Sequence, residues 1–206
     1  MIDMDFDSTR SQFLRNTGKG AVALAAGGTL LAMTEGVAFG QTSADVEIAK
    51  VAATAELLAI DVYNRALKAK SGGKSIFGGA TRKYLLNARA NEVVHYNALK
   101  GVLKGETPAG LKFKYAAGQF SSASKIVNLG VTLETAFVRA YVTAAKALSV
   151  EELRLIAAQI GASEASHLGF LLNAQGQGKT LTAIPKPFSD AEFAATVKTV
   201  TSFVQK

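Results

Sequence analysis

The chain has 206 residues, no cysteine and a formal net charge of +7. That length holds one domain with a substantial core and is too short for two of ordinary size. Without cysteine, disulfides and thiolate metal sites are excluded, so any bound metal must sit among carboxylate and imidazole ligands, a donor set that favours iron or manganese.

Residues 1–40 read as an export signal. Arg10, Arg15 and Lys19 precede an apolar stretch from Gly20 to Met33, and Ala38-Phe39-Gly40 offers small residues at a cleavage point before Gln41. The run Thr9-Arg10-Ser11-Gln12-Phe13-Leu14-Arg15 resembles the twin-arginine motif of folded-protein export, with Ser11 where the second arginine would stand. The apolar stretch falls short of the ~20 residues a membrane span needs. The expectation is an exported protein, periplasmic or extracellular, with no stable membrane insertion once the signal is cleaved. Residues 1–40 hold three basic and four acidic side chains, which leaves 20 Lys and Arg against 12 Asp and Glu in the remainder. The basicity therefore belongs to the domain. Its lysines are scattered through helix surfaces and loops rather than interleaved with aromatics, so nucleic acid is not an expected partner.

From Ala44 to about Lys70 apolar residues recur at helical spacing, through Ala49, Ala52, Ala53, Leu57, Ile60, Tyr63 and Leu67, until Ser71-Gly72-Gly73 ends the run. A second helix is expected over residues 80–104, with Leu85, Leu99, Val102 and Leu103 apolar and Gly105 as its stop. Residues 105–121, with Pro108, Gly110 and Gly118, have the length of a crossover rather than a tight turn. A third helix follows over residues 122–148. The fourth is expected to begin at Ser149, where Ser149-Val150-Glu151-Glu152 has the form of a capping box, and to close at Gly176 and Gly178. After the Pro185-Lys186-Pro187 breaker, Ser189-Asp190-Ala191-Glu192 is another capping box and predicts a short fifth helix. The chain reads as all-α: a signal at 1–40, a four-helix bundle of two helical hairpins at 41–180, and a C-terminal extension with a short helix at 181–206.

Both histidines stand three residues after a glutamate, in Glu92-Val93-Val94-His95 and Glu164-Ala165-Ser166-His167. Helical positions i and i+3 share a face, so each motif presents a carboxylate and an imidazole to one point in space. The first and third helices each carry a glutamate followed seven residues later by tyrosine, as Glu56 with Tyr63 and Glu134 with Tyr141. The order Glu-x6-Tyr then Glu-x-x-His thus occurs twice, with Glu-to-Glu separations of 36 and 30 residues. Glu56 and Glu134 lie in apolar and small surroundings where an unpaired inward carboxylate is costly, and an inward metal resolves that cost. Four carboxylates supply the charge that two divalent ions need, and with two imidazoles they still leave open coordination positions.

This pattern resembles the ferritin-like di-metal carboxylate proteins, bundles in which two helices each give one Glu and the other two each give Glu-x-x-His. The resemblance covers about residues 44–176. It implies that Glu56, Glu92, His95, Glu134, Glu164 and His167 are metal ligands, and position in the repeat suggests that Glu92 and Glu164 bridge two metals while Glu56 and Glu134 are terminal. It also implies two Fe as cofactor, with two Mn as the alternative. Tyr63 and Tyr141 lie two turns after the lone glutamates and so on nearly the same face. They are read either as core aromatics whose hydroxyls bond a ligand carboxylate or, by similarity to bacterioferritin-like sites, as electron donors in oxygen or peroxide reduction. Asn91 and Ser163 directly precede the bridging glutamates and are candidates to orient the histidines.

Val93 stands where haem-binding bacterioferritin-like proteins place a methionine, so no haem is expected. Phe137 and the lack of cysteine set the chain apart from rubrerythrins. The resulting expectation is an exported di-iron protein that oxidises Fe(II) with dioxygen or peroxide, as a ferroxidase or a peroxide-detoxifying protein. Two alternatives remain open: a manganese catalase-like enzyme that disproportionates hydrogen peroxide, and a stress-associated envelope protein whose metal only staples the bundle. Expected partners are metal ions and dioxygen or hydrogen peroxide, and an oligomer remains open.

Overall fold

A computed structural model of the chain describes residues 42–176 and 185–205. The expected export signal lies outside the described residues. Among the described residues five helices follow in order: α1 (Ser43–Lys68), α2 (Gly79–Leu103), α3 (Ala123–Ala147), α4 (Glu151–Ala174) and α5 (Asp190–Ser202). A two-residue ribbon, β1 (Lys70–Ser71) against β2 (Lys74–Ser75), joins α1 to α2. Gly72 and Gly73 turn that ribbon with φ of 56° and 79°. Glycine takes both left-handed positions of such a turn without strain, which is why the Ser71-Gly72-Gly73 stop also starts a hairpin.

The first four helices form the expected all-α bundle of two helical hairpins, since α1 packs mainly on α2 and α3 mainly on α4. α5 lies across α1 and α3. The capping box expected at Ser189 is present: its hydroxyl accepts from the Glu192 amide, and the Glu192 carboxylate accepts from the Ser189 amide at 2.9 Å. Arg139 then ties α5 to α3 through the Glu192 carboxylate at 2.9 Å and the Phe188 ring at 4.1 Å. The crossover between the hairpins, residues 104–122, is held to α1 where Tyr115 donates to Asp61 at 2.7 Å, and to the C-terminus by an antiparallel bridge between Phe113 and Val204.

The start of α4 differs from expectation. Its N-cap is Val150, with no side-chain cap, and the helix begins at Glu151. The Ser149 hydroxyl instead donates to the buried Asp45 carboxylate at 2.5 Å, and the Ser149 amide donates to the same carboxylate at 2.8 Å. Asp45 also closes a capping box with Thr42 at the start of α1. A tertiary acceptor has outcompeted the local box, and one carboxylate now fixes two helix starts.

Buried apolar side chains form two clusters along the bundle. One gathers Leu58, Val62, Leu85, Leu133 and Leu171; the other gathers Ala53, Leu99, Val102, Ile156 and Ile160. On each long helix the polar residues Glu56, Glu92, His95, Glu134, Glu164 and His167 fall between or beside these groups. Among the described helices, one is long and apolar enough to cross a membrane, Glu151–Ala174. It carries Glu164 and His167 into the bundle and is a core helix by that placement.

Candidate metal centre

The six expected ligand residues meet in one place, each no more than 3 % exposed. α1 and α3 each lower one carboxylate into the interior, and α2 and α4 each lower a carboxylate and an imidazole one turn apart. Two groups of ligand atoms result. Glu56, Glu92, His95 and Glu164 form one, and Glu92, Glu134, Glu164 and His167 the other, the atoms of each lying within 4.8 Å of one another. Glu92 and Glu164 belong to both.

Hydrogen bonds cross between the hairpins. Tyr63 donates to Glu134 Oε1 at 2.6 Å, and Tyr141 donates to Glu56 Oε1. Each tyrosine therefore serves the glutamate of the opposite hairpin, not the one seven residues before it. The imidazoles cross in the same way, with His95 Nδ1 2.9 Å from Glu164 Oε1 and His167 Nδ1 2.8 Å from Glu92 Oε1.

Those two contacts are close without hydrogen-bond alignment. One oxygen of each carboxylate, Glu56 Oε2, Glu92 Oε1, Glu134 Oε2 and Glu164 Oε1, is buried with no hydrogen-bond partner. Desolvated, unsatisfied carboxylate oxygens are expensive, and here the four carboxylates that carry them belong to the same two overlapping ligand groups as the two imidazoles. This donor set fits divalent cations. It is an oxygen and nitrogen set with no sulfur.

The electrostatics agree. Burial, then the charges of Glu164 and Glu92, pushes the Glu134 carboxyl well above the usual carboxylate range, and burial likewise raises Glu92. Burial opposes charge on His167, but Glu164 and Glu92 outweigh it and raise the imidazole to about 9. For His95 burial also acts downward, and Glu164, Glu56 and Glu92 lift it far above the ordinary histidine value. Without a metal the cluster keeps protons to offset its carboxylates; a bound cation takes over that task. Burial and nearby carboxylate charge raise both Tyr63 and Tyr141, so the phenols stay protonated and act as donors.

Asn91 Nδ2 lies 3.2 Å from His167 Nε2, the orienting position expected of it. Ser163 makes no side-chain hydrogen bond to either histidine among the described residues. Tyr84 was not anticipated. Its ring meets His167 edge-on at 6.4 Å and stacks on Phe170 at 3.5 Å, while its hydroxyl donates to the Ser166 carbonyl at 3.0 Å. The internal repeat could not reveal it, because the position eight residues before the other motif glutamate is Ile156.

A family model described as a ferritin-like domain matches residues 44–177, which spans all four bundle helices. None of the curated proteins compared with the chain matches it.

Proposed function

The chain belongs to the ferritin-like domain family, and on that premise we propose that it is a di-iron protein that oxidises Fe(II) with dioxygen or hydrogen peroxide. The observation that carries this reading is the pair of overlapping ligand groups, with Glu92 and Glu164 common to both and one orphaned oxygen on every glutamate. In this reading Glu92 and Glu164 would serve both metal positions, Glu56 with His95 would complete one side, and Glu134 with His167 would complete the other. Iron bound by these residues would supply one electron per Fe(II), so that a pair would, with two protons, reduce dioxygen to hydrogen peroxide or hydrogen peroxide to two waters.

The chain's own groups set the terms. Tyr63 and Tyr141 hold the terminal carboxylates through protonated hydroxyls, and Asn91 fixes the His167 ring. The two apolar clusters exclude bulk water from the polar layer, which strengthens every charge interaction inside it. The basic, then apolar sequence of residues 1–40 supports an exported location.

Anaerobic Fe(II) titration followed by stopped-flow absorbance after oxygen or peroxide addition tests the function. Saturation at two Fe(II) per chain and a fast ferric band, both absent from Glu92→Ala, is the expected result. A trace no faster than that variant's, or two bound manganese ions in protein from its native host with oxygen release from peroxide, overturns it.

A further inference from the structure

Beyond the ligand cluster, the molecule has an apolar cleft between α1, α3 and α5. Ala52 of α1, Phe137 and Ala140 of α3, and Phe193, Thr196 and Val197 of α5 line it, and its free volume is about 40 Å³. Its exposed lining is wholly apolar. Tyr141 closes the inner end, with its hydroxyl turned to Glu56. Ala55, the chain neighbour of Glu56, lines the same cleft. A second apolar cavity, inside the bundle by Leu99 and Ile156, also touches Tyr141 and shares Ala52 with the first.

Two apolar spaces therefore converge on the tyrosine that holds one terminal carboxylate. A site whose exposed surface is apolar favours a ligand that has no hydrogen bonds to give up. Hydrogen peroxide carries two O–H donors and would lose its hydration there without replacement, whereas dioxygen loses almost nothing.

We propose that the cleft binds dioxygen and leads it to the Glu56 end of the cluster, by a route that hydrogen peroxide does not share. This inference rests on the oxidation proposed above. The Tyr63 end has an interior apolar cavity beside Val62, Phe77 and Leu85, but α5 does not line it.

Crystals of the full chain under xenon pressure test the cleft without any turnover, because xenon occupies apolar cavities of this kind. Xenon between Ala52, Ala140 and Val197, lost in Val197→Phe, is the expected result. In solution, Val197→Phe should slow Fe(II) oxidation several-fold at limiting dioxygen, with the peroxide-driven rate and the anaerobic Fe(II) affinity unchanged. Thr196→Leu fills the same cleft more gently and gives a second variant if the phenylalanine disturbs α5. Xenon absent from the cleft, xenon only in the Tyr63 cavity, or an unaltered dioxygen dependence in a folded filled variant overturns the assignment. An unsubstituted chain that binds xenon in the cleft but does not oxidise Fe(II) overturns the oxidation and leaves the cleft a site for small apolar molecules.

Discussion

Tyr63 on α1 donates its phenol to Glu134 on α3 at 2.6 Å, and Tyr141 on α3 returns the same bond to Glu56 on α1. The exchange staples the two hairpins across the polar layer. It also leaves one oxygen on each of these glutamates buried without a hydrogen-bond partner.

Removing a phenolic hydroxyl should expose that dependence. Tyr141→Phe leaves Glu56 without its donor, and an unsatisfied buried carboxylate oxygen costs about 1–3 kcal/mol. The metal-free variant should lose that much stability in urea denaturation, and Tyr63→Phe should behave alike through Glu134.

The shared glutamates should behave differently from the unshared ones. Glu92→Ala or Glu164→Ala removes an atom from both ligand groups, whereas Glu56→Ala removes one from a single group. Calorimetric Fe(II) titration should therefore show both binding events weakened in the first two variants and one event retained in the third. Equal loss in all three variants would refute the assignment of bridging and terminal roles.

Metal removal should lower the melting temperature. An ion that binds only the folded state at 100 times its Kd adds about 2.7 kcal/mol. For a domain of this size that corresponds to roughly 5–10 °C. Differential scanning calorimetry of metal-loaded and chelated protein measures it directly.

Asp45 gives the pH dependence. Burial works against its charge, but hydrogen bonds from Ser149 and Thr42 prevail and lower the carboxyl from its ordinary 3.8 to about 2. A depressed folded-state value means the stabilisation is fully present above pH ~4 and is lost as pH falls through about 2. Asp45→Asn should cost about 2 kcal/mol at neutral pH. The gap between variant and parent should close on acidification toward that limit.

Close packing of α3 on α4 should be sensitive at Gly161. A Cβ there would stand 3.1 Å from the Tyr141 Cβ. Gly161→Val should therefore destabilise the bundle by about 1–3 kcal/mol, through overpacking that displaces a tyrosine bonded to Glu56. Thermal melts with and without metal will show whether ligand affinity falls with stability.

The sequence by itself determined the helices, the two hairpins and the six residues that meet in the core. It could do so because helical periodicity and the i, i+3 spacing are local geometry, and because the motif order repeats. It also placed both tyrosines on the glutamate-bearing faces. Only the tertiary structure decided that each tyrosine bonds the opposite hairpin's glutamate, since same-face neighbours along one helix and across two helices look alike in spacing. The same holds for Ser149, whose capping box was outcompeted by Asp45 across the fold, and for Tyr84, whose contact with His167 has no counterpart in the repeat. The cleft beneath α5 depends on how a fifth helix lies across two others. Periodicity sets which face a helix buries; which neighbour that face meets is set by packing between segments distant in the chain.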